Sequence, residues 1–173
     1  ALSLVTAVLL SRAENYTWSA GETTSGNWNL SENWKPEGIP GGGDTATISV
    51  PVTFTSGIVI SSGELVIANS AAVTVSGVIS GAGSLRNNST AILTLSGDNA
   101  FTGGMYINGN VCLKSATALG VLSKPVDYAT GNIDFACANA TYRYDLKPLK
   151  NNVYYAFLPT ATGALDGSVS NDQ

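Results

Sequence analysis

The chain has 173 residues, of which 12% are charged, against about 25% in an ordinary soluble domain. Ser, Thr and Asn together supply 51 residues, Gly supplies 19 and hydrophobic residues reach 44%, which excludes a helix bundle, a coiled coil and a disordered chain. A net charge of −4 argues against nucleic-acid binding, and the absence of His excludes Ser-His and Cys-His catalysis.

The chain opens on a mostly apolar run, ALSLVTAVLL, followed by Ser11-Arg12-Ala13. Such a run is too short to span a bilayer, which takes about 20 residues, so no membrane-spanning segment is predicted. The run fits the hydrophobic region of a secretory signal, and Ser-Arg-Ala resembles a cleavage site. We predict that residues 1–13 are a partial signal peptide and that the protein is exported; the alternative is a buried apolar strand.

Three tryptophans, Trp18, Trp28 and Trp34, lie in the segment 14–44. Exposed indoles suit carbohydrate rings, so the three are candidate ligand-binding residues. A solenoid, however, needs a cover for the open end of its core, and this segment precedes the strands predicted below. We therefore predict a tryptophan-rich N-terminal cap over 14–44 and keep a sugar-stacking platform as the alternative.

The sequence Gly41-Gly42-Gly43-Asp44 resembles half of a calcium-binding nonapeptide repeat. It occurs once, whereas such a site needs stacked copies to supply six or more oxygen ligands. We predict a turn after Pro40, with Asp44 capping the next strand. No metal, cofactor or cofactor-binding residue is predicted.

From residue 45 onward, apolar and polar residues alternate in short runs that Gly, Ser and Asn separate, which is the pattern of β-strands and turns. The apolar positions recur with a nearly constant period: from Val73 and Val75, steps of 20, 18, 22 and 20 give Leu93 and Leu95, Val111 and Leu113, Ile133 and Phe135, and Val153 and Tyr155. A second series joins Leu65 and Ile67 to Leu85 and Ile107. A period of this length predicts a solenoid.

We predict an all-β, right-handed parallel β-helix over 45–173. Equivalent strands of successive turns would pair in parallel and stack aliphatic side chains in a narrow core, each worth about 1.5–3 kcal/mol. Gly103-Gly104 and Asn108-Gly109 would form turns between coils. An antiparallel sandwich is the alternative, but it does not predict that inward apolar positions recur with this period. The predicted core residues are Val73, Val75, Leu93, Leu95, Val111, Leu113, Ile133 and Phe135.

Spaced blocks within residues 78–120 carry a family resemblance. ISGAGSL at 79–85, LTLSGDN at 93–99 and FTGG at 101–104 are followed by Asn108-Gly109 and by Ala118-Leu119-Gly120. This order resembles the passenger-associated transport repeat of bacterial autotransporters, also called the autotransporter-associated β-strand repeat; residues 86–91 replace the usual connector. Trp18, Gly26-Asn27-Trp28, Asn33-Trp34, Pro40 and 43–46 resemble the leader that often precedes such repeats.

The resemblance implies an exported passenger that folds as a β-helix on the surface of a Gram-negative-type cell. In that family the repeat is implicated in outward transport and folding, so outer-membrane translocation machinery is an expected partner. Surface glycans are the partners expected if the segment is instead an adhesin. The chain reaches Gln173 without the amphipathic strands of an outer-membrane barrel, which leaves open a truncated chain or a different anchor.

Asp127, Asp134 and Asp145 are the candidates for a polysaccharide-degrading enzyme, since β-helix enzymes use carboxylates on one sheet and hydrolysis needs two about 5–10 Å apart. The coil equivalents of Asp134, Cys112 and Tyr154, are not acidic, so no acidic ladder is predicted. We therefore predict no catalytic residues and no enzyme activity, and keep a β-helix enzyme as the second alternative to a carbohydrate-binding adhesin.

Two features near the C-terminus stay open. Cys112 is predicted to face away from its apolar neighbours, while Cys137 shares the face of Phe135, and whether the two form a disulfide is undecided. An aromatic zone is interpreted as core of the last coils, with a binding surface as the alternative. Its members are Tyr142, Tyr144, Tyr154, Tyr155 and Phe157.

Overall fold

A computed structural model describes residues 12–115 and 117–121, together with the backbone of four later strands. Residues 1–11 of the predicted signal peptide lie outside the described residues, as do Phe135, Cys137, Tyr142 and Tyr144. Among the described residues the only helix is a single turn of 3₁₀ helix, Ser31–Asn33, and none is long and apolar enough to cross a membrane.

The strands follow one another around successive coils of a solenoid. Three coils are complete, with three strands each: β4 (Thr45–Ile48), β5 (Val52–Phe54) and β6 (Ile58–Val59); β7 (Glu64–Asn69), β8 (Val73–Val75) and β9 (Ile79–Gly81); β10 (Ser84–Asn87), β11 (Leu93–Leu95) and β12 (Ala100–Phe101). An earlier coil provides β1 (Asn15–Trp18) and β2 (Thr23–Gly26), with β3 (Trp34–Lys35) after them. Later coils provide β13 (Met105–Asn108), β14 (Val111–Leu113), β15 (Val126–Thr130) and β16 (Ile133–Asp134), before β17 (Asp145–Leu149) and β18 (Val153–Phe157).

Strands that occupy the same place in successive coils stack into three sheets. Sheet A has the order β17-β18-β15-β13-β10-β7-β4-β1-β3, sheet B the order β16-β14-β11-β8-β5-β2, and sheet C the order β12-β9-β6. Every pair in sheets B and C is parallel, as is every pair of sheet A from β1 to β15. The predicted all-β parallel solenoid is therefore confirmed, and the antiparallel sandwich is excluded.

The core is a column of inward side chains. Leu93 pairs with Val73 on one side and with Val111 on the other, and Val111 pairs in turn with Ile133. The next inward rung joins Val75, Leu95 and Leu113 in the same way. All six of the predicted core residues from Val73 to Leu113 are buried. Period-2 alternation thus places one apolar face of each strand toward the axis.

Three expectations about register and extent were wrong. The second series aligned Leu85 with Ile107, but Leu85 pairs with Met105, and Ile107 pairs with Asn87. The repeat from β10 to β13 is therefore shorter in sequence than the series assumed. Parallel stacking also begins earlier than residue 45, since β1 and β2 already pair with β4 and β5.

The third correction concerns the end of the series. Val153 and its neighbours do not continue the stack above Ile133 in sheet B. Instead, β18 runs antiparallel to β15 in sheet A, with Val153 opposite Asp127, and β17 pairs antiparallel with β18. Alternation of apolar residues is the same in parallel and antiparallel strands, so the period could not distinguish them.

Glycines at one corner let successive coils approach closely. Gly63, Gly83 and Gly103 recur once per coil, where sheet C passes into sheet A, and Gly43 lies beside Gly63 in the preceding coil, before β4. A Cβ at Gly103 would lie 2.3 Å from the carbonyl carbon of Gly83, and one at Gly83 would lie 2.8 Å from the carbonyl oxygen of Gly63. At Gly83 and Gly103 only glycine fits without displacing backbone, whereas Gly43 and Gly63 adopt a positive φ, which favours glycine. The predicted turn at Gly103-Gly104 therefore lies between coils, whereas Asn108-Gly109 turns the chain from sheet A to sheet B within one coil.

Candidate functional site

The three tryptophans form one buried aromatic cluster around Phe54. The rings of Trp18 and Trp28 meet Phe54 edge-on at centroid distances of 4.9 Å, and Trp34 stacks on it at 6.0 Å. Relative exposures of the indoles are 4%, 0% and 0% for Trp18, Trp28 and Trp34. Gly26, in register with Phe54, makes room for this packing, since a Cβ there would lie 3.2 Å from the Phe54 ring.

Each indole N–H of this aromatic cluster already has a backbone acceptor. Trp18 donates to the carbonyl of Gly21 at 2.8 Å, Trp28 to Pro40 at 2.9 Å and Trp34 to Trp28 at 2.9 Å. A sugar-stacking platform requires exposed rings. The interpretation of the three tryptophans as ligand-binding residues is therefore not supported, because their faces pack against one another in the interior at the N-terminal end of the core.

The Gly-rich turn before β4 is closed by Asp44. One carboxylate oxygen accepts the N–H of Glu14 at 3.0 Å and the other accepts the N–H of Gly41 at 2.9 Å. Both oxygens therefore cap backbone donors. Within residues 12–115 and 117–121, no group of three or more His, Cys, Asp or Glu side chains is placed to hold a metal ion.

The negative charges of this turn act on Tyr16, which is partly buried against the core. Burial raises the pKa of the Tyr16 hydroxyl, and the nearby carboxylates of Asp44 and Glu14 raise that pKa further because they oppose a phenolate. Deprotonation of the Tyr16 hydroxyl is therefore less favourable than in a free tyrosine.

A triad of side chains spans three coils on the outer face of sheet A. Arg86 Nε donates to Glu64 Oε1 at 2.6 Å, and the guanidinium carbon lies 3.9 Å from the centre of the Tyr106 ring. The hydrogen bond that Arg86 donates to Glu64 raises the pKa of Arg86, against a smaller opposing effect of burial. Side chains of Arg86 and Glu64 are 34% and 35% exposed, so this cross-coil triad, Glu64–Arg86–Tyr106, is a surface feature that links β7, β10 and β13.

Sequence reasoning did not find the cross-coil triad. Its signal is present, because Arg86 follows Glu64 by about one coil of sequence and Tyr106 follows Arg86 by another, all three at outward positions. The guanidinium of Arg86 is hydrogen-bonded to the Glu64 carboxylate and also lies over the ring of Tyr106. The arrangement therefore stabilises the stacking of coils.

Buried asparagines form a second set of cross-coil contacts. Asn99 accepts the N–H of Ile79 at 2.8 Å from the preceding coil and donates to the carbonyl of Ala118 at 2.7 Å in the following one. Asn69 donates to Ile92 at 3.1 Å, and Asn87 donates to Asn110 at 3.2 Å. These amides satisfy backbone groups at corners where the strand ladder is interrupted.

Asn87 is the unusual member of these buried asparagines. It occupies an inward position between Ile67 and Ile107, and its Oδ1 atom is buried without a hydrogen-bond partner. A polar residue in an apolar column could not be predicted from periodicity. It is an energetic cost that the surrounding coils tolerate.

The three candidate catalytic aspartates are not brought together. Asp127 lies in sheet A in register with Tyr106, while Asp134 lies in sheet B in register with Cys112. Asp145 is in sheet A, but β18 lies between its strand and the strand of Asp127. Along β18, Asp145 is opposite Phe157 and Asp127 is opposite Val153, which is four residues or about 13 Å away. Tyr154, expected as the next equivalent of Asp134, pairs with Val126 instead.

Cys112 pairs with Thr94 on the outer side of sheet B and is buried there, at 4% exposure. This burial was not expected for an outward position. Its suggested partner Cys137 lies outside the described residues, so the disulfide stays undecided.

Comparison with protein-family models finds no family that matches this chain, and searches of curated proteins and of solved structures find no similar protein. The resemblance to the autotransporter repeat therefore rests on its motif blocks. In the solenoid, the block 79–85 runs from β9 into β10, the block 93–99 starts with β11, and the block 101–104 joins β12 to β13. The glycines of these blocks lie at corners between strands, except Gly81, which ends β9.

Proposed function

We propose that this chain is an exported, non-enzymatic β-solenoid passenger segment of an autotransporter-like protein, displayed at the surface of a Gram-negative-type cell. Its work is mechanical: it forms a stiff stalk that holds other parts of the passenger away from the membrane. The observation that carries the proposal is the continuous parallel stacking of coils, with Leu93 between Val73 and Val111 and with side-chain bonds that cross from coil to coil.

The same stacking suits folding after export. A chain that crosses an outer membrane unfolded must fold from the part that emerges first. Here the ladder partners lie about one coil apart in sequence, as Leu85 and Met105 do, so each coil needs only its neighbour as a template. Sequential addition of coils outside the cell would then also oppose backward movement of the chain. Outer-membrane translocation machinery is the partner that this route implies.

Two other functions fit the residues less well. A carbohydrate-binding adhesin would need accessible aromatic rings, and burial of Trp18, Trp28 and Trp34 leaves that role to residues outside the aromatic cluster. A polysaccharide-degrading enzyme would need carboxyl groups close together, whereas Asp127 and Asp134 belong to different sheets. Neither gains support from a specific contact among the described residues.

Surface display is the experiment that tests the proposal. An epitope tag inserted between Ser61 and Ser62, at the exposed corner between β6 and β7, keeps the strands intact. With the complete reading frame expressed in a Gram-negative host, we expect antibody to bind intact cells and added protease to remove the signal. A periplasmic protein with the same tag is the control and should stain only after permeabilisation. If the tagged solenoid behaves like that control, surface display is wrong.

A further inference from the structure

Asn108 and Gly109 lead the chain out of β13 and toward β14. They form the single Asn-Gly dipeptide of the sequence, and asparagine before glycine is the context in which spontaneous deamidation is fastest. In that reaction the backbone nitrogen of the following residue attacks the side-chain carbon Cγ of the asparagine. Glycine favours the attack because it has no side chain to shield its nitrogen and its backbone rotates freely. While the backbone is free, Asn108 is therefore the most labile asparagine of the chain.

The preceding coil holds both residues of this dipeptide in place. Gly109 has a φ of +152°, and a Cβ there would lie 2.2 Å from the carbonyl oxygen of Ser89. Only glycine therefore fits at this turn without displacing backbone. The side-chain amide of Asn108 donates a hydrogen bond to Oδ1 of Asn88 at 2.7 Å. The packing of coils thus requires the glycine that makes Asn108 labile, and it also holds the amide that reacts.

The same contacts oppose deamidation in the folded protein. Ring closure brings Cγ of Asn108 onto the nitrogen of Gly109, which requires rotation of the backbone between them and release of the side chain. In the solenoid, Asn108 is the last residue of β13, lies in register with Thr130 of β15 and is bonded to Asn88. Rotation would also press Gly109 into the backbone of Ser89. Only a locally opened coil can react, so its small population limits the rate.

We infer that Asn108 is a deamidation site of the unfolded chain and that stacking of its coil protects it. The Gly109 nitrogen bonds to Cγ of Asn108, the bond from Cγ to Nδ2 breaks, and ammonia leaves with the proton of the Gly109 amide. Water then opens the resulting succinimide. Cleavage between the ring nitrogen and Cγ gives aspartate. Cleavage between the ring nitrogen and the backbone carbonyl carbon gives isoaspartate, whose main chain runs through Cβ and Cγ.

Isoaspartate at position 108 conflicts with the described turn. It lengthens the main chain by one carbon between β13 and Gly109, which already touches the backbone of Ser89. The next strand starts at Val111, which is fixed in register with Leu93. The extra atom must displace one of these contacts, so a chain that ages into isoaspartate before folding closes this coil poorly. This inference concerns the unfolded and folded states alone and does not depend on where the protein acts.

Peptide mapping by mass spectrometry measures deamidation in the full chain, kept folded in buffer or unfolded in guanidinium chloride at the same mildly alkaline pH. Deamidation is read from the mass gained when NH₂ becomes OH, and isoaspartate from labelling by an isoaspartyl methyltransferase. Asp166-Gly167 can also yield isoaspartate, but without that mass gain. In the unfolded chain, we expect Asn108 to react at least about tenfold faster than Asn88, which precedes Ser89. Folding should slow Asn108 by at least about tenfold.

Two variants test the contact that holds the Asn108 amide. Asn88→Ala removes its acceptor, so deamidation of Asn108 in the folded protein should become several-fold faster. Asn29→Ala is the matched control, since it removes another exposed asparagine side chain, which bonds Gly57, and should leave the rate at Asn108 unchanged. Equal rates in the two folded variants would argue against protection by the Asn88 contact. Should Asn88→Ala not fold, the parent chain decides through the comparison of its folded and unfolded states.

Refolding tests the consequence for the coil. The parent chain is aged in guanidinium chloride, refolded and separated by size-exclusion chromatography into folded monomer and misfolded material. We expect isoaspartate at position 108 to be at least about tenfold scarcer in the folded monomer, because the lengthened turn does not fit. Three results would each overturn the inference: equal rates at Asn108 in the folded and unfolded chain, an unfolded rate no faster than that of Asn88, or equal isoaspartate in the two fractions.

Discussion

The guanidinium of Arg86 lies 3.9 Å from the centre of the Tyr106 ring, which belongs to the next coil. Glu64, in the preceding coil, accepts a hydrogen bond from the same guanidinium. One arginine therefore links three coils on the outer face of sheet A. This contact runs along the axis of the solenoid, from coil to coil.

Replacing Arg86 with Ala should destabilise the solenoid modestly. A cation–π contact at a partly exposed site is worth about 0.5–1 kcal/mol, and a solvent-accessible ion pair adds about 0.2–1 kcal/mol. We expect a loss of about 1 kcal/mol in the free energy of unfolding, measured by urea denaturation, and a smaller loss, roughly half, in about 0.5 M salt. Lys114→Ala, at an exposed position of the solenoid, is the control. Equal effects of the two substitutions would argue against the contact.

The glycine corner predicts a much larger effect. Alanine at Gly103 would bring its Cβ to 2.3 Å from a backbone carbon of Gly83, which no side-chain movement relieves. We expect Gly103→Ala to cost about 1–3 kcal/mol, as overpacking does. Gly41→Ala is the matched control, since its Cβ would meet nothing closer than 4.0 Å. Thermal and urea unfolding of both variants measure the difference; a neutral Gly103→Ala would mean that the coils are further apart than described.

Buried asparagine amides predict a third effect. Asn99→Ala leaves the N–H of Ile79 and the carbonyl of Ala118 without this partner in two different coils. The N–H of Ile79 is then orphaned, and an orphaned buried donor costs about 1–3 kcal/mol, so we expect a loss of that size in the free energy of unfolding and faster amide exchange at Ile79. Asn29→Ala, which removes an exposed hydrogen bond to Gly57, should cost less than about 1 kcal/mol. Unchanged exchange at Ile79 would rule out the described hydrogen bond.

Alkaline pH provides a fourth prediction, through Tyr16. Its pKa is raised in the folded protein by burial and by Asp44 and Glu14, so the folded state binds its proton more tightly than the unfolded state does. The stabilisation is complete below the unfolded pKa of about 10 and is lost as pH rises through the folded pKa. Between pH 9 and pH 12 we expect the parent chain to lose more stability than Tyr16→Phe. Parallel curves for the two proteins would contradict this origin of the pKa shift.

Periodicity predicted the part of the fold that depends on simple alternation. Val73, Leu93 and Val111 are inward aliphatic residues in strands of equal position, so a nearly constant step in sequence was sufficient to align them. Asn87 breaks that rule, because its amide is buried among aliphatic residues where the pattern requires an apolar side chain. The second series therefore passed over Asn87 and aligned Leu85 with Ile107, which is the partner of Asn87.

The ends of the solenoid were harder to predict for a different reason. Burial of Trp28 depends on long-range packing against Phe54, which no local pattern reports. The reversal at β18 leaves the alternation of Val153 to Phe157 unchanged, since parallel and antiparallel strands share one side-chain period. The cross-coil triad was missed because outward residues carry no apolar signal, although the spacing of Arg86 and Tyr106 equals one coil.

Methyl–methyl nuclear Overhauser effects from Leu93 test the stacked coils most directly. In a chain labelled at Val, Leu and Ile methyl groups, the methyls of Leu93 should show cross-peaks to both Val73, in the preceding coil, and Val111, in the following one. Cross-peaks from Leu93 to other strands, with none to Val73 or Val111, would contradict the solenoid and the stalk function proposed from it.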